Sequence, residues 1–186
     1  MADFYTEQVL ATPLTAAAEH LLVRKLELCG HGYNARWREG LVDGGRQRMV
    51  CRFEAEDLRA ARAAARCTGL DPDATWLSPV GGTAWVNDGA AIDLVDVIGE
   101  CSRDAPIDVA RLAAALLACA WCLETFRVHP RPLVVSADGR RVLALFRAPD
   151  AEAVRMAYRH ADASFDRVAA LRRIRRGSAQ PVGRPR

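Results

Sequence analysis

Glu7 and Glu100 are the residues whose type and placement could do acid–base chemistry. Each lies on the less apolar side of a segment that otherwise reads as a buried strand. A carboxylate in a partly apolar interior is pushed toward its neutral form and can serve as general base or metal ligand. Paired with Arg36, Arg52 or Arg147, the same carboxylate would be architectural. A metal needs imidazole, thiolate or carboxylate arriving from several elements. Cys29 and His31, either side of Gly30 at a helix end, and His129 are the candidates. The competing reading makes Cys29 a core thiol, repeated as Cys122, and His31 a solvated helix residue. Cys119-Ala-Trp-Cys122 has the spacing of a redox pair, but such pairs react because they sit at a helix N-terminus. This one falls within an apolar helix, so redox work is not expected.

The elements that must position these groups are written twice. Arg48 to Asp57 recurs as Arg141 to Asp150 at an offset of 93 residues, and the offset holds without a gap from Asp3/Asp96 to Asp73/Asp166. The first copy reads as a strand over 3–10 and a helix capped by Thr12 with Pro13 at its first position. Strands follow over 33–42 and 48–54, joined by a turn at Asp43-Gly44-Gly45. A helix over 58–67 capped by Asp57, and a strand over 75–80, complete it. The second copy has strand 92–101, helix 107–126, a strand entered through Pro130, the Asp138-Gly139 turn, strand 141–147, helix 151–161 and strand 167–174. Each copy has the order β-α-β-β-α-β, the split form of ferredoxin-like folds. The chain is therefore expected to be α+β: repeat 1 over 1–81, a linker over 82–91, repeat 2 over 92–176, and a disordered basic tail over 177–186.

Strand alternation assigns faces. Met49, Cys51 and Phe53, matched by Val142, Ala144 and Phe146, belong under the helices. The opposite faces are mixed. A sheet with helices on one side must still cover its other side, so the two sheets are expected to face each other in a pseudo-dimeric α+β barrel. Its lumen would hold Tyr5, Glu7, Arg52, Ile98, Glu100 and Leu145, with Trp37 as a further ligand contact. The two long helices differ. The first is amphipathic, whereas Leu112 to Leu123 is apolar all round. A helix of that kind is buried on more than one side, and a homodimer through the 109–123 helix is expected.

Half of the 186 residues are apolar, enough for a real core. The net charge of +3 comes from six arginines at the C-terminal end, without which the balance turns acidic. No basic face for nucleic acid is expected. Met1 to Glu7 lacks the pattern of a signal peptide, and no apolar run reaches the roughly 20 residues a membrane span needs. Six cysteines without a compact disulfide framework suit a reducing, cytoplasmic setting, where thiols behave mostly as small hydrophobes.

The run from Trp37 to Val42, Asp43-Gly44, Arg48 to Ala55, Thr68-Gly69-Leu70-Asp71-Pro72-Asp73 and Trp76 to Val80 resembles a bacterial domain-of-unknown-function family. Its members include small nickel-binding, dimerising proteins of ferredoxin-like fold. The resemblance covers about residues 3–80 well and 94–174 more loosely. It implies a tandem chain that imitates the family's dimer and binds a divalent transition metal, nickel by resemblance, or a small ligand without catalysis. The family's histidine in the first strand is missing between Asp3 and Gln8. The alternative is a cofactor-independent enzyme of oxygenase or cyclase type, acting on a small apolar substrate in the lumen with Glu7 or Glu100 as general base. A third reading makes the second copy a degenerate repeat kept for packing.

Overall fold

The computed structural model describes residues 1–70, 74–77 and 93–175. The expected linker, the Asp71-Pro72-Asp73 segment and the basic tail lie outside the described residues. Two compact units divide the chain: Met1–Thr75 with the chain from Arg173 onward, and Trp76–Arg172. The divisions fall inside the last strand of each repeat.

In the first unit, β1 (Ala2–Val9), β2 (Ala35–Asp43) and β3 (Arg48–Ala55) form an antiparallel sheet with β3 in the middle. Helices α1 (Ala16–Gly32) and α2 (Leu58–Cys67) accompany it. The alternation read from β3 holds: Met49, Cys51 and Phe53 are at most 1% exposed and pack with Leu22, Leu26, Ala61 and Ala64. The strand β4 (Ala74–Leu77) follows.

The second unit carries β5 (Val95–Ser102), α3 (Val109–Ala118), α4 (Ala120–Thr125), β6 (His129–Ser136), β7 (Arg141–Ala148), α5 (Ala151–His160) and β8 (Arg167–Arg175). Here β7 lies between β5 and β6, and β8 pairs along the other edge of β5. Trp76 and Leu77 of β4 pair with Ser136 and Val135 of β6. Phe146, Ala144, Val154 and Ala157 form the core beneath the helices.

Two backbone contacts recur at equivalent positions of the two units. Leu10 N–H donates to the Gln47 carbonyl at 2.6 Å, and Arg103 N–H to the Arg140 carbonyl at 2.9 Å. Leu14 to Arg46, 2.8 Å, is matched by Ile107 to Gly139, 2.7 Å. Both pairs keep the 93-residue offset. Both long helices begin later than expected. Leu14 and Ile107 are hydrogen-bonded to the hairpin loops, and Thr15 keeps an extended backbone (ψ 163°) ahead of the first helix. The first helix starts at Ala16 with Thr15, not Thr12, as its cap (Ala18 N–H to Thr15 Oγ1, 3.2 Å), and α3 starts at Val109.

The hairpin loops hold a second correction. The expected glycine turn in the first unit places Arg46, not Gly44 or Gly45, at positive φ (57°). Its equivalent is Gly139, at φ 72°. A left-handed arginine costs backbone energy that glycine avoids. Contacts from its guanidinium to the Leu14 carbonyl and to Glu19 at 2.9 Å offset that cost.

Asp57 and Asp150 cap α2 and α5 identically, each accepting from an N–H three residues on at 2.8 Å. Asp57→Ala and Asp150→Ala should each cost about 1 kcal/mol. Urea midpoints measured for the two single variants check this, and unchanged midpoints would refute it.

The expected single helix over 107–126 is two. It breaks at Cys119, between α3 and α4. Trp121 is 59% exposed, and Ala114, Ala115 and Ala118 are exposed as well. No described helix is long and apolar enough to cross a membrane.

Candidate ligand cavity in the second unit

Glu7 and Glu100 are buried, as expected, and each meets an arginine. The partners are Arg48 and Arg141, themselves 93 residues apart, and not the arginines considered from sequence. Each arginine lies on the strand neighbouring its glutamate's, so pairing register brings the charges together. Both carboxylates are thus held by guanidinium groups.

Tyr5 and Arg52 come together on the face of the first sheet away from its helices, where Arg52 donates to Asp3 at 2.6 Å and to Glu39 at 3.5 Å. Burial raises the Tyr5 phenol to about 12 against the opposing pull of Arg52. Glu39 also meets Arg173 at 3.3 Å and Arg175 at 3.7 Å. Sequence reasoning missed Glu39, because a register shift between Trp37 and Glu39 changes which residues of β2 share a face. Trp37 is corrected in the same way. It pairs across from Phe53 and packs in the helix-side core, on the face opposite Tyr5 and Arg52. In the second unit Ile98 and Leu145 are neighbours across β5 and β7, with Ile98 buried and Leu145 half-buried.

The metal candidates do not fit a metal. Cys29 is bonded to Cys67 in a disulfide, so its sulfur is not a thiolate ligand. That bond also corrects the competing reading of Cys29 as a core thiol. His31 and His129 are exposed. Among the described residues, no three His, Cys, Asp or Glu side chains come together as a metal site.

A site that sequence reasoning did not name lies under the helices of the second unit. A cavity of about 140 Å³ separates α3, α4 and α5 from the sheet. Its floor is Gly99, Val142, Ala144 and Phe146; its roof is Leu112, Ala115 and Cys119; Tyr158 forms one wall. Comparison with the first repeat explains the space. Thr6, Gln8, Leu22, Leu26, Met49 and Cys51 become Gly99, Cys101, Ala115, Cys119, Val142 and Ala144, all smaller. Replacing large side chains by small ones leaves space where the surroundings do not collapse. Only part is refilled. Tyr158, standing where the first repeat has Ala65, reaches over Gly99, and a Cβ there would lie 2.8 Å from its hydroxyl. Phe146 and Phe165 flank that ring at centroid distances of 6.0 and 5.4 Å. Burial holds the Tyr158 phenol above the ordinary tyrosine range, so at neutral pH its hydroxyl is intact.

Polar groups gather at one end. Arg103 and Ser164 line the cavity there, and the Arg103 guanidinium donates to Ser164 Oγ at 2.8 Å. Cys101 is half-buried beside them, with a thiol raised by burial, lowered by Arg103 and raised less by Asp166. Cys119 and Cys122 also line the cavity as free thiols. Cys119 is at the helix break rather than inside a helix, contrary to expectation.

No family model matches the chain, and neither does any curated protein. Solved structures do match. A putative chlorite dismutase, TA0507, aligns at 9% identity and TM-score 0.57, covering 96% of each chain. A mutant chlorite dismutase from Candidatus Nitrospira defluvii in complex with cyanide aligns at 12% identity and TM-score 0.50, over 92% of this chain and 90% of that one. The fold is α+β and ferredoxin-like. A putative monooxygenase from Lactobacillus acidophilus NCFM gives a lower TM-score of 0.46 at 9% identity, over 93% and 94% of the two chains. At these identities the likeness is one of ferredoxin-like fold, and fold does not fix function. The cavity is built from side chains of one ferredoxin-like unit, and its chemistry is read from them.

Proposed function

We propose that this protein binds a small, largely apolar molecule in the cavity of its second unit, without catalysing its conversion. The cavity itself carries the reading. At about 140 Å³ it has space for a single-ring molecule, since an engineered apolar cavity of about 150 Å³ binds benzene. Its walls are mostly aliphatic and aromatic, with few polar groups, as ligand sites usually are.

The enzymatic alternative has less support. Glu7 and Glu100 are engaged by Arg48 and Arg141. Tyr158, whose hydroxyl keeps its proton, is a donor rather than a base. Neither the pseudo-dimeric barrel nor a homodimer through the 109–123 helix is needed for binding, and both stay proposals from the sequence.

Toluene is expected to shift the methyl resonances of Leu133, Val142 and Val154 saturably. Ala144→Leu fills the floor and should weaken that binding at least tenfold, while the urea midpoint shows whether the fold is kept. Methyl resonances that ignore toluene up to its solubility limit would end this reading.

A further inference from the structure

The polar end of the cavity identifies the ligand class, on the basis of the binding reading above. We propose that the natural ligand is a small aromatic or branched monocarboxylate, with its apolar body in the cavity and its carboxylate on Arg103 and Ser164. In the first repeat the position of Arg103 is Leu10, which packs against the apolar core. The second repeat replaces that apolar cover with a cation beside an open cavity. Arg103 has no ion-pair partner among the described residues, and its guanidinium donates to the Ser164 hydroxyl at 2.8 Å and to the Ser102 carbonyl at 3.5 Å. A guanidinium satisfied only by neutral oxygens keeps donors for a carboxylate, the anion its fork geometry matches. The hydroxyl already aligned with it supplies a second donor to the same anion.

The local field agrees with the geometry. Cys101, at this end, feels Arg103 more strongly than Asp166, so the cation dominates. One guanidinium and one hydroxyl suit a single negative charge, and the volume behind them limits the body to about one ring.

Benzoate and benzyl alcohol, which share a ring and differ in the anionic group, are the probes. They are titrated by calorimetry, with alkylation of Cys101 and Cys119 followed by mass spectrometry as a second report of occupancy. Benzoate should bind the unaltered protein roughly tenfold tighter, the scale of one charge-assisted hydrogen bond. Arg103→Gln should remove that advantage, so that benzoate and benzyl alcohol bind alike. Arg103 is exposed, so the variant should fold normally. Equal binding of the two probes, or an advantage that survives Arg103→Gln, overturns the carboxylate proposal while the apolar-cavity reading stands. Failure of both probes to bind or to protect the thiols overturns both.

Discussion

Replacing Cys29 and Cys67 together by serine should lower stability by about 4 kcal/mol, the loop-closure value for a cross-link of this span. The disulfide closes 38 residues of separation and ties the C-terminal end of α1 to that of α2. Its largest effect is on the unfolded chain, which loses conformations when the loop is closed. Leu26, Ala64 and Phe53 belong to a core that serine leaves in place. Urea unfolding of the unaltered protein with and without a strong reductant should show the same displacement as the double variant. Coincident transitions in oxidising and reducing buffer would show that the bond adds nothing.

Breaking either duplicated ion pair should cost about 3 kcal/mol, toward the lower end for a buried pair because the arginine keeps some contact with solvent. The Glu7 side chain is 4% exposed against 27% for Arg48; Glu100 is 9% exposed against 32% for Arg141. Removing only the arginine, as in Arg48→Met or Arg141→Met, leaves a buried carboxylate without its main counter-charge. Removing both partners, as in Glu7→Leu with Arg48→Met, should cost much less than the two single changes summed. A double-mutant cycle in urea measures that difference for each half. If Glu100 were a general base, Glu100→Gln would abolish turnover with little change in stability; a large stability loss is expected instead. Additive single-variant effects would remove the architectural account of both glutamates.

Much of the fold is legible before any coordinates. Asp57 caps α2 as read, and Asp150, 93 residues on, caps α5 in the same way. The faces of β3 and β7 follow from alternation, because neighbouring side chains on a strand point to opposite sides. The α2 limits read from sequence are those observed, since cap, apolar stripe and following Gly69 all act within a few residues. The long helices start later than the first local signal, at caps a few residues further on. Thr12 and Pro13 carry a local start signal, but Thr15 is the residue that keeps an extended backbone and caps α1.

The site is the least legible part. Glu7 and Glu100 stood out because they are charged residues on apolar strands, yet which arginine meets them depends on strand register. Trp37 changed faces and Glu39 went unnoticed because of one irregularity in β2. The cavity did leave a signal in the sequence: six positions of the second repeat are smaller than their counterparts. Lost volume alone does not say whether the helices settle inward or leave a space.

The sequence by itself determined the 93-residue internal likeness, the helix-facing sides of β3 and β7, and the cap of α2. All of these depend on interactions over a few residues or on direct comparison of the halves. Tertiary structure alone decided that Cys29 finds Cys67, that Arg48 and Arg141 hold the glutamates, and that Tyr158 closes over Gly99 while space remains beside it. Those outcomes depend on distances between segments far apart in the chain, set by how whole elements pack.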